Sequence, residues 1–318
     1  MAINTLANKE NWIGRSSDQK HYLHEKVIFS SIYEPLEANG HKTFALLGYA
    51  SDEGVRRNLG RVGAALGPNA IRKQLGKLSN HLTEETRLID FGNLECQNQN
   101  LEDLQLELST AVNFFLNNNT IPIIIGGSHD LAYGHYNGLT QHLKDGEKLG
   151  IINFDAHFDF RPNTEGNTSG TPFYQIALEH EAKNESIKYM ALGIRKDANT
   201  KNLFDFAESR QANYLLRKHF SMNYLEHVQL RLIQFLEDVD YLYTTIDLDG
   251  FSSAFAPGVS AASPMGFSPD VVIESLKLII ESGKLLGLDV VELNPNYDID
   301  DQTAKLAASL VHYVIHKL

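Results

Sequence analysis

The chain has 318 residues, 28 of them Lys or Arg and 40 Asp or Glu, for a formal charge of −12. With 42% hydrophobic and 21% charged residues it has the composition of a globular protein with a sizeable core, which excludes disorder as its main state. The acidic balance argues against a dedicated nucleic-acid binder, which needs a concentrated basic face, and no apolar run approaches the roughly 20 residues that cross a bilayer. The N-terminal stretch lacks the apolar segment of a secretory signal, and the lone cysteine, Cys96, fits a reducing compartment. The expectation is a cytoplasmic protein with no membrane or nucleic-acid partner.

Residues 1–40 show no clear strand and read as a covering segment. After them, aliphatic and β-branched runs alternate with amphipathic stretches. A strand over 44–50 (FALLGYA) precedes a helix over 68–76, and a strand over 86–92 (TRLIDFG) precedes a helix over 101–118. Leu104, Leu108, Ala111 and Phe115 step by three or four and share one face of that helix. Then follow strand 121–127 (IPIIIGG), helix 131–144, strand 149–155 (LGIINFD), helix 173–183 and strand 187–194 (IKYMALGI). Helix 224–238, strand 241–249 (YLYTTIDLD), helix 269–283, strand 285–293 (LLGLDVVEL) and helix 303–316 complete the chain. Near-continuous apolar strands are those buried on both faces, so the fold class is α/β: three layers, αβα, with a mostly parallel central sheet. No repeat or linker divides the chain, so one domain over 1–318 is expected, and the small-residue stretch 250–269 reads as a functional loop.

The strand ends carry the chemistry, because open α/β sheets bind ligands outside the carboxyl ends of their strands. Asp155, His157 and Asp159 follow LGIINF at i, i+2 and i+4, a spacing that converges on one point if the chain stays extended. Asp247 and Asp249 follow YLYTTI at i and i+2, and Gly126-Gly127-Ser128-His129 ends IPIII with two glycines that let the backbone turn. Four carboxylates and two imidazoles suit hard divalent ions such as Mn²⁺. Six ligands suit two metals with bridging carboxylates, and four aspartates supply −4 against +4. A single aspartate after a strand is more often a cap or a solvated turn residue, but three such clusters, each ending an apolar strand, form a pattern.

GGSHD, DAHFD and DLD, in this order, resemble the three metal motifs of the ureohydrolase family, which includes arginases, agmatinases and formimidoylglutamases. The resemblance runs from about residue 44 to the C-terminus. Within the family, the stretches 52–72, DAHFDFRP, SGTPF, APGVSA and 290–308 look most like formimidoylglutamases. It implies two Mn²⁺ ions per subunit, one held by His129, Asp155, Asp159 and Asp247, the other by His157, Asp155, Asp247 and Asp249. Asp155 and Asp247 would bridge, and Glu292 would pair with a cationic amidine or guanidine. Departures point away from arginase. Ser128 and Asp130 stand in the reverse of its order around the histidine, Ser252 replaces an aspartate, and Ser169 stands where arginases carry a proton-shuttling histidine.

The implied reaction is hydrolysis of a linear amidine, N-formimidoyl-L-glutamate, to L-glutamate and formamide by a metal-bridging hydroxide. Asp159 would act as general acid and Glu292 would stabilise the amidinium. The substrate's two carboxylates need cations. Arg56, Arg57, Arg61, Arg161 and Arg195 all lie in loops near strand ends, each as apt to pair with a local acid. Arg161, Arg61 and Arg57, with Ser169 and Glu292, are the expected substrate contacts. Another ureohydrolase activity, or a non-catalytic scaffold of the same fold, are the rival readings, and the family implies a homo-oligomer. Three features are set aside: Ser128-His129-Asp130 is a triad in letters only, Cys96 reads as inert, and His312 with His316 reads as a solvated helix face.

Overall fold

A computed structural model describes residues 3–32, 34–36 and 40–318 of the chain. Among these, ten strands form one sheet. They are β1 (Ile3–Thr5), β2 (Ile28–Phe29), β3 (Lys42–Ala50), β4 (Thr86–Glu95), β5 (Thr120–Gly126), β6 (Leu149–Phe154), β7 (Lys188–Ile194), β8 (Asn213–Leu216), β9 (Tyr241–Asp247) and β10 (Leu285–Val291). The helices are α1 (Glu53–Arg57), α2 (Gly67–Leu75), α3 (Leu101–Asn117), α4 (Leu131–Thr140), α5 (Pro172–Ala182), α6 (Lys201–Ser209), α7 (Leu225–Glu237), α8 (Pro269–Glu281) and α9 (Gln302–Lys317).

Across the sheet the order is β1-β4-β3-β5-β10-β9-β6-β7-β8, with β2 also on β4. Every pairing is parallel except β1 with β4. Side chains alternate faces along each strand, so each face has its own core. Phe44 and Leu46 of β3 join Ile71, Leu232, Leu276 and Val311 on the side covered by α2, α7, α8 and α9. Ala45 and Leu47 join Leu108, Leu139, Ile176 and Leu203 under α3, α4, α5 and α6. This is the expected three-layer αβα arrangement.

The α3 stripe is buried as its spacing requires, with Leu104, Leu108, Ala111 and Phe115 all turned to the core and Leu106 exposed opposite. Its start is fixed by Asn100, whose side chain accepts a hydrogen bond from the Asp103 amide at 3.1 Å.

The N-terminal segment departs from expectation. Residues 1, 2, 33 and 37–39 of it lie outside the described residues, but the rest supplies β1 and β2, both added to β4. Three residues cannot signal a strand by pattern; β1 exists because β4 offers unpaired backbone groups. The segment is stapled in place by Trp12, whose indole donates to Asp90 at 2.7 Å. That carboxylate is fully buried and also takes two 2.8 Å bonds from Arg72. Short α1, α6 and β8 lie outside the expected elements; α1 and β8 are too short to carry a period, whereas α6 is amphipathic, with Leu203 and Ala207 buried on one face.

Candidate metal centre

Four strands adjacent in the sheet, β5, β10, β9 and β6, bring together motifs far apart in sequence. His129 lies just past β5, Glu292 just past β10, Asp247 ends β9, and Asp155 follows β6. Because β5 lies beside β3 while the later β10 and β9 separate it from β6, the strand order reverses here and leaves a crevice at the carboxyl ends.

Gly126 and Gly127 serve this crevice differently from expectation. Neither has a positive φ. A Cβ on Gly127 would instead overlap the Tyr49 and Ser51 carbonyl oxygens, so the glycine permits the end of β5 to press against β3.

The side chains fall into two groups that share Asp155: His129, Asp155, Asp159 and Asp247, and Asp155, His157 and Asp249. His129 Nδ1 lies 2.9 Å from Asp159, 2.9 Å from Asp247 and 3.4 Å from Asp155. His157 Nδ1 lies 3.4 Å from the other Asp155 oxygen and 3.3 Å from Asp249. The extended-chain argument for their convergence does not hold. The backbone turns instead: Asp155 accepts from the His157 amide at 2.7 Å, Asp247 accepts from the Asp249 amide at 2.8 Å, and Asp159 has φ +49°. Asp247 belongs to the first group only.

Despite these short separations, His129 Nδ1 and Asp249 Oδ1 are buried without a hydrogen-bond partner. Lone pairs directed at common points, from oxygen and imidazole donors, are what a hard divalent cation satisfies. The residues therefore fit two such ions. Electrostatics agrees. Burial opposes charge on His129 and on His157, yet the surrounding carboxylates lift both well above the usual imidazole value. Burial, then neighbouring carboxylates, push Asp159 and Asp247 up, whereas Asp155, despite its burial, is held down by the two histidines. Side chains alone leave too much negative charge packed together.

Glu292 closes the crevice from β10, with φ +67° and its own amide bonded to the Gly127 carbonyl at 2.9 Å. Burial, then Asp249, push its carboxyl up to about 8. Arg161, Ser169 and Glu292 line the same cleft as the cluster, together with Asn58, Gly60, Ser260 and Ala261. Arg57 and Arg61 are not among the lining residues. Arg57 is tied to Glu53 and Glu102, while Arg61 donates to the Val259 and Ser260 carbonyls and lies over the Tyr297 ring. Arg56 and Arg195 are paired with Glu53 and Asp197.

Asn58 was not foreseen. It accepts from Arg161 at 2.6 Å and donates to Ser169 at 3.0 Å, joining two loops 103 and 111 positions away. Its only sequence signal was membership of the 52–72 stretch. His312 and His316, expected to be solvated, are partly buried: His312 bonds the Ser79 carbonyl and His316 accepts from the His81 amide.

The arginase-family model matches residues 42–316. The chain belongs to the arginase family. Among arginase-family relatives, a formimidoylglutamase of Clostridium tetani is 39% identical over 97% of this chain and 94% of its own length. The formimidoylglutamase structure of Bacillus subtilis superposes with a TM-score of 0.82 over 96% of this chain and 94% of that one, at 22% identity. A Trypanosoma cruzi formiminoglutamase structure with Mn²⁺ gives 0.75 over 87% and 93%, also at 22%. At that identity the two structures speak for the fold. No helix among the described residues is long and apolar enough to cross a membrane.

Proposed function

We propose that this arginase-family chain hydrolyses N-formimidoyl-L-glutamate to L-glutamate and formamide. The observation that carries the reading is one cleft holding both a carboxylate–imidazole cluster and a guanidinium, Arg161, held by Asn58. The name shared by its relatives supports the same substrate. His129, Asp155, Asp159, Asp247, His157 and Asp249 would hold two Mn²⁺ ions, as the donor set favours. Such ions supply Lewis acidity and a water whose pKa falls from about 15.7 towards about 7.

The protein's own groups divide the remaining work. Arg161 binds a substrate carboxylate, with Ser169 beside it. Glu292, whose pKa is raised by burial and then by the Asp249 charge, would ionise once cations at the cluster offset that charge, and would then balance the amidinium at the formimidoyl carbon. Asp159 accepts a proton from the attacking water and passes it to the glutamate nitrogen as the bond from that nitrogen to the formimidoyl carbon breaks, while the water oxygen leaves in formamide. We further assign the chain to the cytoplasm and to histidine degradation, acting as a single catalytic domain in a homo-oligomer.

An assay of the Mn²⁺-loaded protein with formimidoylglutamate, agmatine and arginine side by side tests this. Formamide release from the first is expected; urea release from either guanidine would overturn the substrate assignment.

A further inference from the structure

Three residues that line the cleft form a hydrogen-bonded row along which burial deepens: Arg161 is exposed, Asn58 half-buried and Ser169 buried. Arg161 donates to the Asn58 side-chain oxygen at 2.6 Å, and the Asn58 side-chain nitrogen donates to Ser169 Oγ at 3.0 Å. The backbone holds this row in place. A single carbonyl oxygen, that of Gly54 in α1, accepts from the Asn58 amide at 3.0 Å and from the Ser169 amide at 3.1 Å. A Cβ on Gly54 would overlap Asp130 Oδ1 and Ser128 Oγ, so the glycine lets α1 settle against the turn that carries His129. At the other end of the row the Arg161 amide donates to the Gly170 carbonyl at 2.9 Å.

Donor direction along the row has one solution. A guanidinium has no acceptor, so the Asn58 oxygen must face Arg161 and the Asn58 NH2 must face Ser169. An amide NH2 cannot accept, so the Ser169 oxygen does, and the hydroxyl proton is left for a molecule in the cleft. Ser260, which lines the same cleft, is set in the same sense, because its oxygen accepts from the Arg61 amide at 2.8 Å. A bound molecule is therefore offered a guanidinium and two hydroxyl protons. A carboxylate accepts from all of these, whereas an ammonium can only donate and meets a like charge.

We infer that Asn58 is a specificity-determining residue. By accepting from Arg161 and donating to Ser169 it turns both towards a carboxylate, and so selects substrates that end in one over substrates that end in an ammonium. This deepens the substrate reading above and rests on it. Arg161 alone would supply attraction; the fixed polarity of the row adds rejection, since a site built of donors leaves them unpaired when the ligand brings no acceptor.

Steady-state kinetics of the Mn²⁺-loaded protein, with glutarate and agmatine as inhibitors of formimidoylglutamate turnover, tests it. Asn58→Asp keeps the shape but can only accept, so it claims the Ser169 proton and neutralises Arg161. Because hydrogen bonds to a charged group are lost, KM for formimidoylglutamate and the inhibition constant of glutarate should both rise by about 10- to 100-fold. Agmatine should inhibit more tightly. Asn58→Leu, which adds no charge, should also raise KM, and Ser169→Ala should then add little, because the two side chains act as a pair. Wild-type KM and glutarate inhibition in Asn58→Asp, or effects of Asn58→Leu and Ser169→Ala that simply multiply, would overturn the inference. So would a fall in kcat and bound Mn²⁺ with KM unchanged, which marks a merely structural role. A wild-type protein that releases no formamide would overturn the substrate reading instead, and calorimetric titration of wild type and Asn58→Asp with glutarate would then decide the inference by the same shift in affinity.

Discussion

The His129 amide donates a 2.8 Å hydrogen bond to the Glu292 carboxylate, across 163 positions of sequence. One oxygen of Glu292 thus holds the turn that presents the His129 imidazole to the cluster, while the residue also lines the cleft. Glu292→Gln keeps an acceptor for the His129 amide but removes the charge. It should retain Mn²⁺ and lose roughly 10²–10³ in kcat, the scale of one preorganised electrostatic contact. Glu292→Ala should lose Mn²⁺ affinity as well. Metal analysis beside turnover separates the two, and equal metal loss in both variants would contradict the division of roles.

Arginines near the strand ends should behave unequally. Arg161→Ala should raise KM for formimidoylglutamate by about 10- to 100-fold with metal content unchanged, since hydrogen bonds to charged groups contribute about 1.5–3 kcal/mol. Arg57→Ala removes a partner of Glu53 and Glu102, outside the cleft. Its effect should show in the melting temperature rather than in KM. The reverse pattern would place carboxylate recognition elsewhere.

Asp247 illustrates a conflict between stability and function. Burial and the charges of Asp249 and Asp155 raise its pKa, so in metal-depleted protein its charge opposes folding. Asp247→Asn should therefore melt higher than wild type in the presence of chelator. Adding Mn²⁺ should reverse the ranking, because a ligand at 100 times its Kd stabilises by about 2.7 kcal/mol. Turnover by Asp247→Ala should be abolished; near-normal turnover would remove this residue from the site.

A separate pH dependence is expected at the C-terminal helix. Burial lowers the pKa of His316 to about 4, and that of His312 also falls. Folded-state values lie below unfolded ones, so the unfolded chain binds more protons between the two. Stability then rises with pH through that window and is lost as pH falls from about 6.5 towards 4. Protonation of His316 Nε2 would break its bond from the His81 amide and loosen the loop at Ser79–His81 from α9. Urea unfolding at pH 7 and pH 5 should show a smaller difference for His316→Gln than for wild type. An unchanged difference would place the sensitivity elsewhere.

Much of the site was legible because central parallel strands are buried on both faces. Their apolar runs stop abruptly where the chain emerges, so polar residues at those stops stand out: His129, Asp155, Asp247 and Glu292 all occupy such positions. Glycine roles were only half visible. Gly127 was readable as a turn residue, whereas its packing against Tyr49 and Ser51 depends on β3 lying alongside.

The acidic excess, the αβα alternation and the set of His and Asp residues that gather at the strand ends are legible from sequence alone, since they depend on residue type and on where apolar runs stop. Tertiary structure decided which aspartate lies in which group, because turns at Asp155 and Asp247, not strand alternation, aim those carboxylates. It decided that Arg161 enters the cleft while Arg57 and Arg61 bind local acceptors, and that Asn58 links Arg161 to Ser169. A guanidinium carries its charge wherever it lies; only the neighbours that the fold supplies determine whether that charge serves an acid in the scaffold or an anion in the site.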